Sequence, residues 1–467
     1  MVVHQIPKVT RRIPNADGYR NGYCFLLKIW QRPARCVNPG GELLIEHHLW
    51  PASEVSWTKA SEQGRPAGGP YKCVGISRPR QSSGQGEPPE PYLCLLSAAP
   101  LTNTLAARFC PVFMAVPVSK TDIRKLSLDG LTQFLLAQGE KKFRAQQVYE
   151  WLWKQSATGF EQMTNLSLAT RELLGAHFEI RPVTVQKAQQ STDGTIKSVF
   201  RLWDGNIVEG VLIPKDDRMT ACVSSQVGCS LTCKFCATGY MERKRNLDAA
   251  EIYDQVVLIN QQALEAFGLP LTNVVYMGMG EPLLNYASVV ESVTRLTDQK
   301  YGLGMAARRL TISTAGIAKM IHKLADDGVR ANLALSLHAA SDAKRNEIMP
   351  INETNSLAVI IEAIQHYRHT TGRDVTYEYI ALDHFNDSLE DAADLVKFVR
   401  TVPGKVNIIE YNPIAAALFD SSGDDRVLHF HKYLSDRGIQ TNIRRSRGKD
   451  IDAACGQLAG KEAASFE

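Results

Sequence analysis

The sequence predicts an α/β fold in which a parallel sheet curls into an incomplete or complete βα barrel. Two observations carry this prediction. From residue 215 onward, short β-rich runs alternate with helical runs, and the alternation repeats six times. A strand followed by a helix and a parallel strand crosses over in the right-handed sense, which packs the helices around one sheet. Active residues of such a barrel lie at the carboxyl ends of its strands.

The hydrophobic period locates the elements of this core, which we place at residues 215–460. Strands are predicted at 220–224, 273–277, 309–313, 332–337, 375–381, 406–411 and 441–444. Helices are predicted at 248–267, 286–298, 317–327, 356–369, 389–400 and 425–436.

Three regions precede the core. Residues 1–113 hold 13 of the 21 prolines and little hydrophobic periodicity. We expect a disordered extension or a gene-start artefact there, with the working protein beginning near Met114; a small extra domain is the alternative. Residues 114–185 read as a small domain of short helices, and residues 186–214 as a β-hairpin linker that turns at Asp204-Gly205.

The composition of the chain excludes few classes of function. The chain has 467 residues, of which 44% are hydrophobic and 22% charged, and this is typical of a globular protein. Its formal charge of +4 permits a nucleic-acid partner without requiring one. The sequence shows neither a membrane-spanning run nor a secretory signal, so we expect a cytoplasmic protein without a membrane partner.

Three cysteines form a CxxxCxxC motif directly after the first core strand. They are Cys229, Cys233 and Cys236. Thiolates at this spacing can hold three irons of one [4Fe-4S] cluster and leave the fourth iron without a protein ligand. That iron can bind the amino and carboxylate groups of S-adenosylmethionine (SAM), whose cleavage yields a 5'-deoxyadenosyl radical. A structural zinc site is the alternative, but it requires a fourth Cys or His ligand nearby.

Four further stretches carry a resemblance to a known family. They are ACVSSQVGC at 221–229, GMGEPLLN at 278–285, MPIN at 349–352 and DIDAACGQL at 450–458. Together with the cysteine motif they resemble the RlmN family of radical SAM RNA methyltransferases over about residues 118–460. The resemblance implies a radical SAM βα barrel, partial and TIM-like, and a helical accessory domain at 114–185 that binds RNA.

The resemblance also implies SAM contacts. Each of these positions, taken alone, is equally typical of a turn, a helix cap or a buried polar residue. All of them follow predicted strands, at the edge where active residues are expected. The matching positions are Gly280, Glu281, Ser313, Ser336, Leu337, His338 and Asn412.

Three more residues match the family's reacting groups. Adenine C2 is electron-poor, so it cannot attack a SAM methyl group as a nucleophile, and a methyl group held on an enzyme sulfur and activated as a radical solves this problem. Cys455 matches the cysteine that carries the methyl group, and Cys222 matches the partner that forms a transient disulfide with it. Glu209 matches the proton acceptor that restores aromaticity.

The family's substrates complete the expectation. They are C2 of adenosine 2503 in 23S rRNA and of adenosine 37 in tRNA, with flavodoxin or ferredoxin as a typical electron donor and a monomeric enzyme. Basic residues at 243–245 and 444–449 are candidates for phosphate contacts. Two alternatives remain open: a Cfr-like methylation of adenine C8, and a cluster-bearing RNA-binding protein without turnover.

Overall fold

The computed structural model describes residues 120–416 and 419–459, which belong to one compact unit. The prediction for residues 1–113 lies outside the described residues. Among the described residues, no helix combines the length and the apolar character that crossing a membrane requires.

The first described segment is mainly helical, as the sequence predicts. Its elements are β1 (Thr121–Asp122), α1 (Leu128–Ala137), α2 (Lys142–Trp153), α3 (Leu168–His177) and β2 (Phe178–Glu179). Serine caps fix where two of these helices begin: Ser127 accepts the N–H of Gly130 before α1, and Ser167 accepts that of Thr170 before α3. The short strands β1 and β2, which the sequence did not predict, pair in parallel.

A sheet of ten strands forms the body of the unit. Its members are β3 (Thr184–Gln190), β4 (Ile196–Arg201), β5 (Ile207–Lys215), β6 (Arg218–Cys222), β9 (Asn273–Tyr276), β10 (Leu310–Thr314), β11 (Asn332–Ser336), β12 (Val375–Ala381), β13 (Gly404–Glu410) and β14 (Thr441–Arg444). The spatial order is β14-β13-β12-β11-β10-β9-β6-β5-β4-β3. Two short strands outside it, β7 (Gln226–Val227) and β8 (Arg245–Asn246), pair with each other.

Seven strands of this sheet, β6 and β9 to β14, are parallel, which confirms the predicted α/β fold. Within the described residues the order is linear, so the barrel is incomplete. Helices connect the strands: α4 (Ala249–Phe267), α5 (Tyr286–Thr297), α6 (Ala318–Asp326), α7 (Asp342–Ile348), α8 (Leu357–Thr371), α9 (Leu389–Thr401) and α10 (Asp424–Ser435). Only α7 was not predicted, because seven residues are too few to show a helical period.

The predicted hairpin forms, but it is more than a connection between domains. Strands β4 and β5 pair antiparallel and turn at Asp204-Gly205, where Gly205 has a φ of +80° that suits its lack of a side chain. Strand β5 then pairs with β6, so the hairpin continues the main sheet. The polar edge strand β3 extends it further on the other side.

Helices begin and end where local chemistry dictates. The helix α4 starts with a capping box, in which the side chains of Asp248 and Glu251 each accept a backbone N–H. It ends at Gly268, whose φ of +67° closes the last turn. Because the strands are buried on both faces, the sheet presents apolar residues such as Ile312 and Leu335 to the layers around it.

Candidate functional site

The carboxyl ends of the parallel strands enclose a cavity. It has an empty volume of about 980 Å³, including the part that is open to solvent, which suits a ligand of nucleoside size or larger. Its wall brings together nine of the predicted site residues: Cys229, Cys233, Cys236, Gly280, Glu281, Ser313, Ser336, His338 and Cys455. The parallel strand ends thus gather residues that are far apart in the sequence, as the fold prediction required.

The cysteine motif lies in a tightly wrapped loop. A Cβ on Gly239 would stand 2.5 Å from the Cys233 carbonyl oxygen, so the chain passes too close there for a side chain. The backbone N–H of Leu231 donates to Cys229 Sγ at 3.4 Å. Burial raises the pKa of the Cys229 thiol to about 11 and that of Cys233 further, so these sulfurs need a cationic partner to ionise at neutral pH.

The donor set fits an iron-sulfur cluster. Three thiols on one cavity wall can each bind a different iron, and they do not have to meet at one point. Within the described part of the chain, no group of three or more His, Cys, Asp or Glu side chains is arranged to hold a single metal ion. The lining of the cavity also includes hydroxyl and carboxylate groups, which suit the polar end of a ligand such as SAM.

Gly280 and Glu281 follow β9. A Cβ on Gly280 would lie 2.5 Å from Gln226 Cβ, and its φ is +95°, so the position requires glycine. The buried carboxylate of Glu281 accepts the N–H groups of Leu283 at 3.0 Å and Ala315 at 2.8 Å. Burial raises its pKa to about 6, although these donors oppose the shift. A buried carboxylate of this kind is suited to bind an ammonium group.

The next two strand ends supply hydroxyls and an imidazole. Ser313 and Ser336 have their hydroxyl oxygens 3.4 Å apart. The His338 ring accepts the Ile380 N–H at Nδ1, so its proton lies on Nε2, and burial together with Arg345 lowers its pKa to about 3. His338 is therefore a neutral hydrogen-bond donor toward the cavity, held at a φ of +58°.

Leu337 and Asn412 lie behind the cavity wall and do not line it. Leu337 is buried, and its N–H donates to the Glu378 carbonyl at 3.0 Å. Asn412 Nδ2 donates to Ser446 Oγ at 2.9 Å and to the Cys455 carbonyl at 3.3 Å. Asn412 Oδ1 is buried and has no hydrogen-bond partner among the described residues, which leaves it able to accept one.

The sequence analysis missed two buried charged residues beside these strand ends. Arg345, on α7, donates to the carbonyls of Ala315, Ser336 and Leu337 and so ties the ends of β10 and β11 together. No periodicity signals it, because α7 is short. Glu378 lies in the middle of β12, and a lone carboxylate in an otherwise apolar strand was a signal that the sequence did offer.

Cys455 sits on a loop of residues 445–459, which we call the Cys455 loop. The loop is fixed from several sides: Ala237 N–H donates to the Gly456 carbonyl at 2.7 Å, and Thr238 Oγ1 to that of Leu458 at 2.6 Å. Cys455 is exposed and lines the cavity. Desolvation by the surrounding protein raises the pKa of its thiol. The structure has Cys222 and Cys455 as free thiols.

Cys222 and Glu209 share one face of the sheet. Cys222 on β6 pairs with Val211 on β5, and Glu209 lies two residues before Val211. Directly opposed residues and residues two apart point to the same side. Burial, with the Cys455 charge acting in the same direction, raises the pKa of Cys222 to about 12.

The carboxylate of Glu209 reaches the Cys455 loop. Glu209 Oε2 accepts the Ala459 N–H at 2.9 Å, and Lys197 Nζ lies 3.8 Å from Oε1. The structure therefore joins Glu209 to the loop that carries Cys455. Of the three candidate reacting residues only Cys455 lines the cavity.

The expectation that residues 243–245 and 444–449 concentrate positive charge for RNA is only partly right. Arg245 pairs with Asp204 at 2.6 Å and with Glu251 at 2.7 Å, so it stabilises the fold. Lys449 pairs with Glu410 at 2.5 Å. Arg444 lines the cavity.

Comparisons with known proteins identify the family of the chain. The family model described as the ribosomal RNA large subunit methyltransferase N-terminal domain matches residues 121–180, and the radical SAM superfamily model matches residues 223–396.

Several relatives match this chain over nearly their whole length. A probable dual-specificity RNA methyltransferase RlmN from Cytophaga hutchinsonii is 61% identical over 74% of this chain and 94% of that relative. A dual-specificity RNA methyltransferase RlmN from Geobacter sulfurreducens is 42% identical over 73% of this chain and 92% of that relative. The crystal structure of a radical SAM methyltransferase from Sphaerobacter thermophilus matches with a TM-score of 0.69 and 41% identity, over 73% of this chain and 99% of that one. By these matches over nearly the whole length of its relatives, the chain belongs to the RlmN family of radical SAM RNA methyltransferases.

Proposed function

We propose that this protein methylates C2 of adenosine 2503 in 23S rRNA and of adenosine 37 in tRNA, with the methyl group carried on Cys455. The observation that carries the proposal is the single cavity in which the three motif cysteines, the strand-end polar residues and Cys455 meet. The names of the relatives support the dual RNA specificity.

Cys229, Cys233 and Cys236 are the residues that would hold a [4Fe-4S] cluster, and Glu281, Ser313, Ser336 and His338 are those that would hold SAM. When bound, the cluster and SAM supply a carbon-centred radical. The chain's own part is to hold the methyl-bearing sulfur, to exclude water from it and to manage the protons. Cys455 lines the same cavity as Met277, Gly456 and Leu458, so the methyl-bearing sulfur and the residues that would hold SAM share one site.

Glu209 is the proposed acceptor of the C2 proton. Its carboxylate is held by the Ala459 N–H, which belongs to the same loop as Cys455, so base and methyl carrier are positioned together. A base acts only within hydrogen-bond reach of the proton it removes. The loop thus couples the place of the carbon donor to the place of the base.

Cys222 releases the product. Its thiolate bonds to Cys455 sulfur, and the bond between that sulfur and the transferred carbon breaks. The electron pair of the broken bond goes to the carbon, which then takes a proton to become the methyl group. The single unpaired electron that radical addition leaves on the base has to pass to a one-electron acceptor, a role that the oxidised cluster would fill. The sulfurs are oxidised to a disulfide, so an external donor such as flavodoxin or ferredoxin must supply electrons before the next turnover.

We further propose that residues 114–185 form an RNA-binding accessory domain. Exposed Lys141, Lys142 and Phe143 lie side by side at the start of α2. The guanidinium of Arg144 lies 5.0 Å from the centre of the Phe143 ring. Positive charges next to an exposed aromatic ring suit a single-stranded or looped RNA, since the charges meet phosphates and the ring can stack on a base.

The decisive experiment incubates anaerobically reconstituted protein with labelled SAM, a reductant and either a 23S rRNA fragment or tRNA. Nucleosides are then compared by mass spectrometry with 2-methyladenosine and 8-methyladenosine standards. We expect 2-methyladenosine with both RNAs, and none with Cys455→Ala. The wild type and Cys455→Ala are compared at equal iron content and equal SAM affinity.

The other outcomes are informative. Formation of 8-methyladenosine would mean that the protein methylates C8 of adenine and not C2. The assignment of the site residues would stand. Binding of RNA without any methylated nucleoside, by protein with an intact cluster, would favour the protein without turnover. Glu209→Gln retains an acceptor for the Ala459 N–H but not the base, so we expect it to bind both RNAs and to form little product.

A further inference from the structure

A row of polar side chains crosses the inside of the incomplete barrel. We call it the polar ladder, and its members are Ser313, Ser336, Glu378, Asn407 and Asn442. Strand register aligns them, because Ser336 pairs with Glu378, Glu378 with Asn407, and Asn407 with Asn442. Such a row is unusual, since barrel interiors are mainly filled by branched apolar side chains.

Hydrogen bonds run along much of the ladder. Asn407 Nδ2 donates to Glu378 Oε1 at 2.9 Å, and Asn442 Nδ2 donates to Asn407 Oδ1 at 3.4 Å. The orientation of the Glu378 carboxylate is thereby set from one side. One end of the ladder is formed by two proposed SAM contacts, Ser313 and Ser336.

The other oxygen of Glu378 has no donor. Glu378 is 5% exposed and lines the cavity. Its Oε2 atom is buried and has no hydrogen-bond partner among the described residues. Arg444 Nη1 lies 3.9 Å from it, which is an ion-pair distance but too long for a hydrogen bond. A buried carboxylate oxygen without a donor is costly, so the position points to a ligand that supplies one.

The surroundings of Oε2 narrow the chemistry of that ligand. A phosphate is disfavoured by the negative charge of Glu378, and a bare cation is disfavoured by the neighbouring guanidinium of Arg444. The serine hydroxyls and asparagine amides of the ladder suit a neutral group with several hydrogen-bond donors. An adenosine has such donors in its N6 amino group and its ribose hydroxyls.

We propose that Glu378 is a ligand-recognition residue, whose Oε2 accepts a hydrogen bond from an adenosine held in the cavity. The inference rests on the proposed function, in which the cavity receives two adenosines, that of SAM and that of the target nucleotide. Both offer the N6 amino group and the ribose 2'-hydroxyl as donors, and the experiment tells them apart. Asn407 and Arg444 are the positioning residues that hold the carboxylate in place.

The test compares wild-type protein with Glu378→Gln, both full-length and carrying the oxidised cluster, which leaves SAM uncleaved. Glutamine keeps the volume and an acceptor for Asn407, but it presents an N–H₂ group where Oε2 was. The SAM dissociation constant is measured by equilibrium dialysis. The dissociation constant for tRNA is measured by filter binding, with either adenosine or purine riboside, which lacks the N6 amino group, at position 37.

We expect one of the two dissociation constants to rise about tenfold or more, as the loss of a hydrogen bond to a charged acceptor does. A rise for SAM identifies the adenosine of SAM. A rise for tRNA identifies the target adenosine, and its disappearance with purine riboside identifies the amino group as the donor. If both constants stay within twofold of wild type, the proposal is overturned.

Two controls keep the result clear. Glu362→Gln changes an exposed glutamate on α8 and is expected to alter neither constant. Asn407→Ala should raise the same constant as Glu378→Gln by a smaller factor, and it carries the test if Glu378→Gln does not fold. SAM binding is measured without turnover. A wild-type protein that bound SAM but formed no methyladenosine would therefore contradict the proposed function, and the test of Glu378 in SAM binding would still stand.

Discussion

Ser191 Oγ donates a hydrogen bond to Asp450 Oδ1 at 2.6 Å, and this bond joins the turn between β3 and β4 to the Cys455 loop. The contact is reciprocal, because Gly448 N–H on the loop donates to Asp193 Oδ2 on the turn at 2.9 Å. Although burial opposes the shift, hydrogen bonds from Thr195 first and then from Gly448 and Ser191 lower the pKa of Asp193 to about 2. Those from Ser191 and the Thr192 N–H lower the pKa of Asp450. The turn and the loop therefore remain bonded through charged acceptors at neutral pH.

Ser191→Ala removes one of these bonds and should loosen the Cys455 loop. The bond ends on a charged acceptor, so its loss favours local opening of the loop. We expect faster hydrogen exchange at residues 448–459 and a several-fold lower methylation rate, with unchanged SAM affinity. Ser435→Ala, whose hydroxyl is 3.4 Å from that of Thr441 on the outer surface, is the matched control. Equal exchange in both variants would contradict the prediction.

Gly448→Ala tests the same loop through its backbone. A Cβ at Gly448 would stand 2.7 Å from Ala453 Cβ and 2.9 Å from Thr195 Cγ2, and its φ is +67°. Gly438→Ala is the control, since φ is +79° there and nothing lies within 4 Å of the added Cβ. Both variants should lose about 1 to 2 kcal/mol of stability to the left-handed conformation. Only Gly448→Ala should also lose methylation, measured at equal iron content.

The bond between Cys222 and Cys455 should form faster as the pH rises. With the pKa of Cys222 raised to about 12, its thiolate fraction increases tenfold per pH unit throughout the neutral range. Glutathione disulfide is first used to form a mixed disulfide on Cys455, and Cys222 then displaces the glutathione thiolate. Peptide mass spectrometry should show about tenfold faster displacement at pH 8 than at pH 7. Cys222→Ser should retain the glutathione, and a rate independent of pH would be against the assignment.

His338 should make the folding stability of the protein depend on pH below about pH 6.5. Its folded pKa of about 3 lies below the ordinary value of 6.5, so the stability it supports is present above pH 6.5 and lost as the pH falls. The loss amounts to about 1.4 kcal/mol per pH unit. Melting temperatures between pH 7 and 5 should fall less steeply for His338→Asn than for wild type. His384→Asn is the control, because His384 also has a positive φ, of 54°, but an exposed side chain.

The basic corner of α2 should appear in the salt dependence of RNA binding. Replacing both Lys141 and Lys142 by alanine should weaken tRNA binding and reduce the slope of log K against log salt by about 1.4 to 1.8, if each lysine neutralises one phosphate. Lys397→Ala, on the outer surface of α9, should leave the slope unchanged. Filter binding over a range of salt concentrations measures both. A parallel shift of the line without a change of slope would exclude direct phosphate contacts.

Much of this architecture could be read from the chain. The predicted strands at 375–381 and 441–444 have the bounds that the structure gives to β12 and β14. The motif cysteines were located by their local spacing, and the strand-end residues by strand order together with the family resemblance. The register between strands is not written in any local pattern, so the polar ladder could not be predicted. The polar strand β3 was missed for a related reason, since it lies at the sheet edge and lacks an apolar face.

Sequence also could not distinguish paired charges from available ones. Arg243 and Arg245 look alike in the chain, yet Arg245 bonds two carboxylates that are 41 residues before it and 6 residues after it. Such pairings depend on the whole fold.

The continuity of the sheet makes the reaction sensitive to insertions far from the cavity. Glu209 lies on the same face of the sheet as Cys222 because β5 and β6 pair in one particular alignment, and side chains alternate sides along a strand. A single residue inserted between Glu209 and Val211 would turn the carboxylate to the opposite face while the rest of the pairing survived. Such a protein could fold and keep its motif cysteines in place, and it would lack its proposed base. We therefore expect an insertion in this segment to leave folding intact and to abolish methylation.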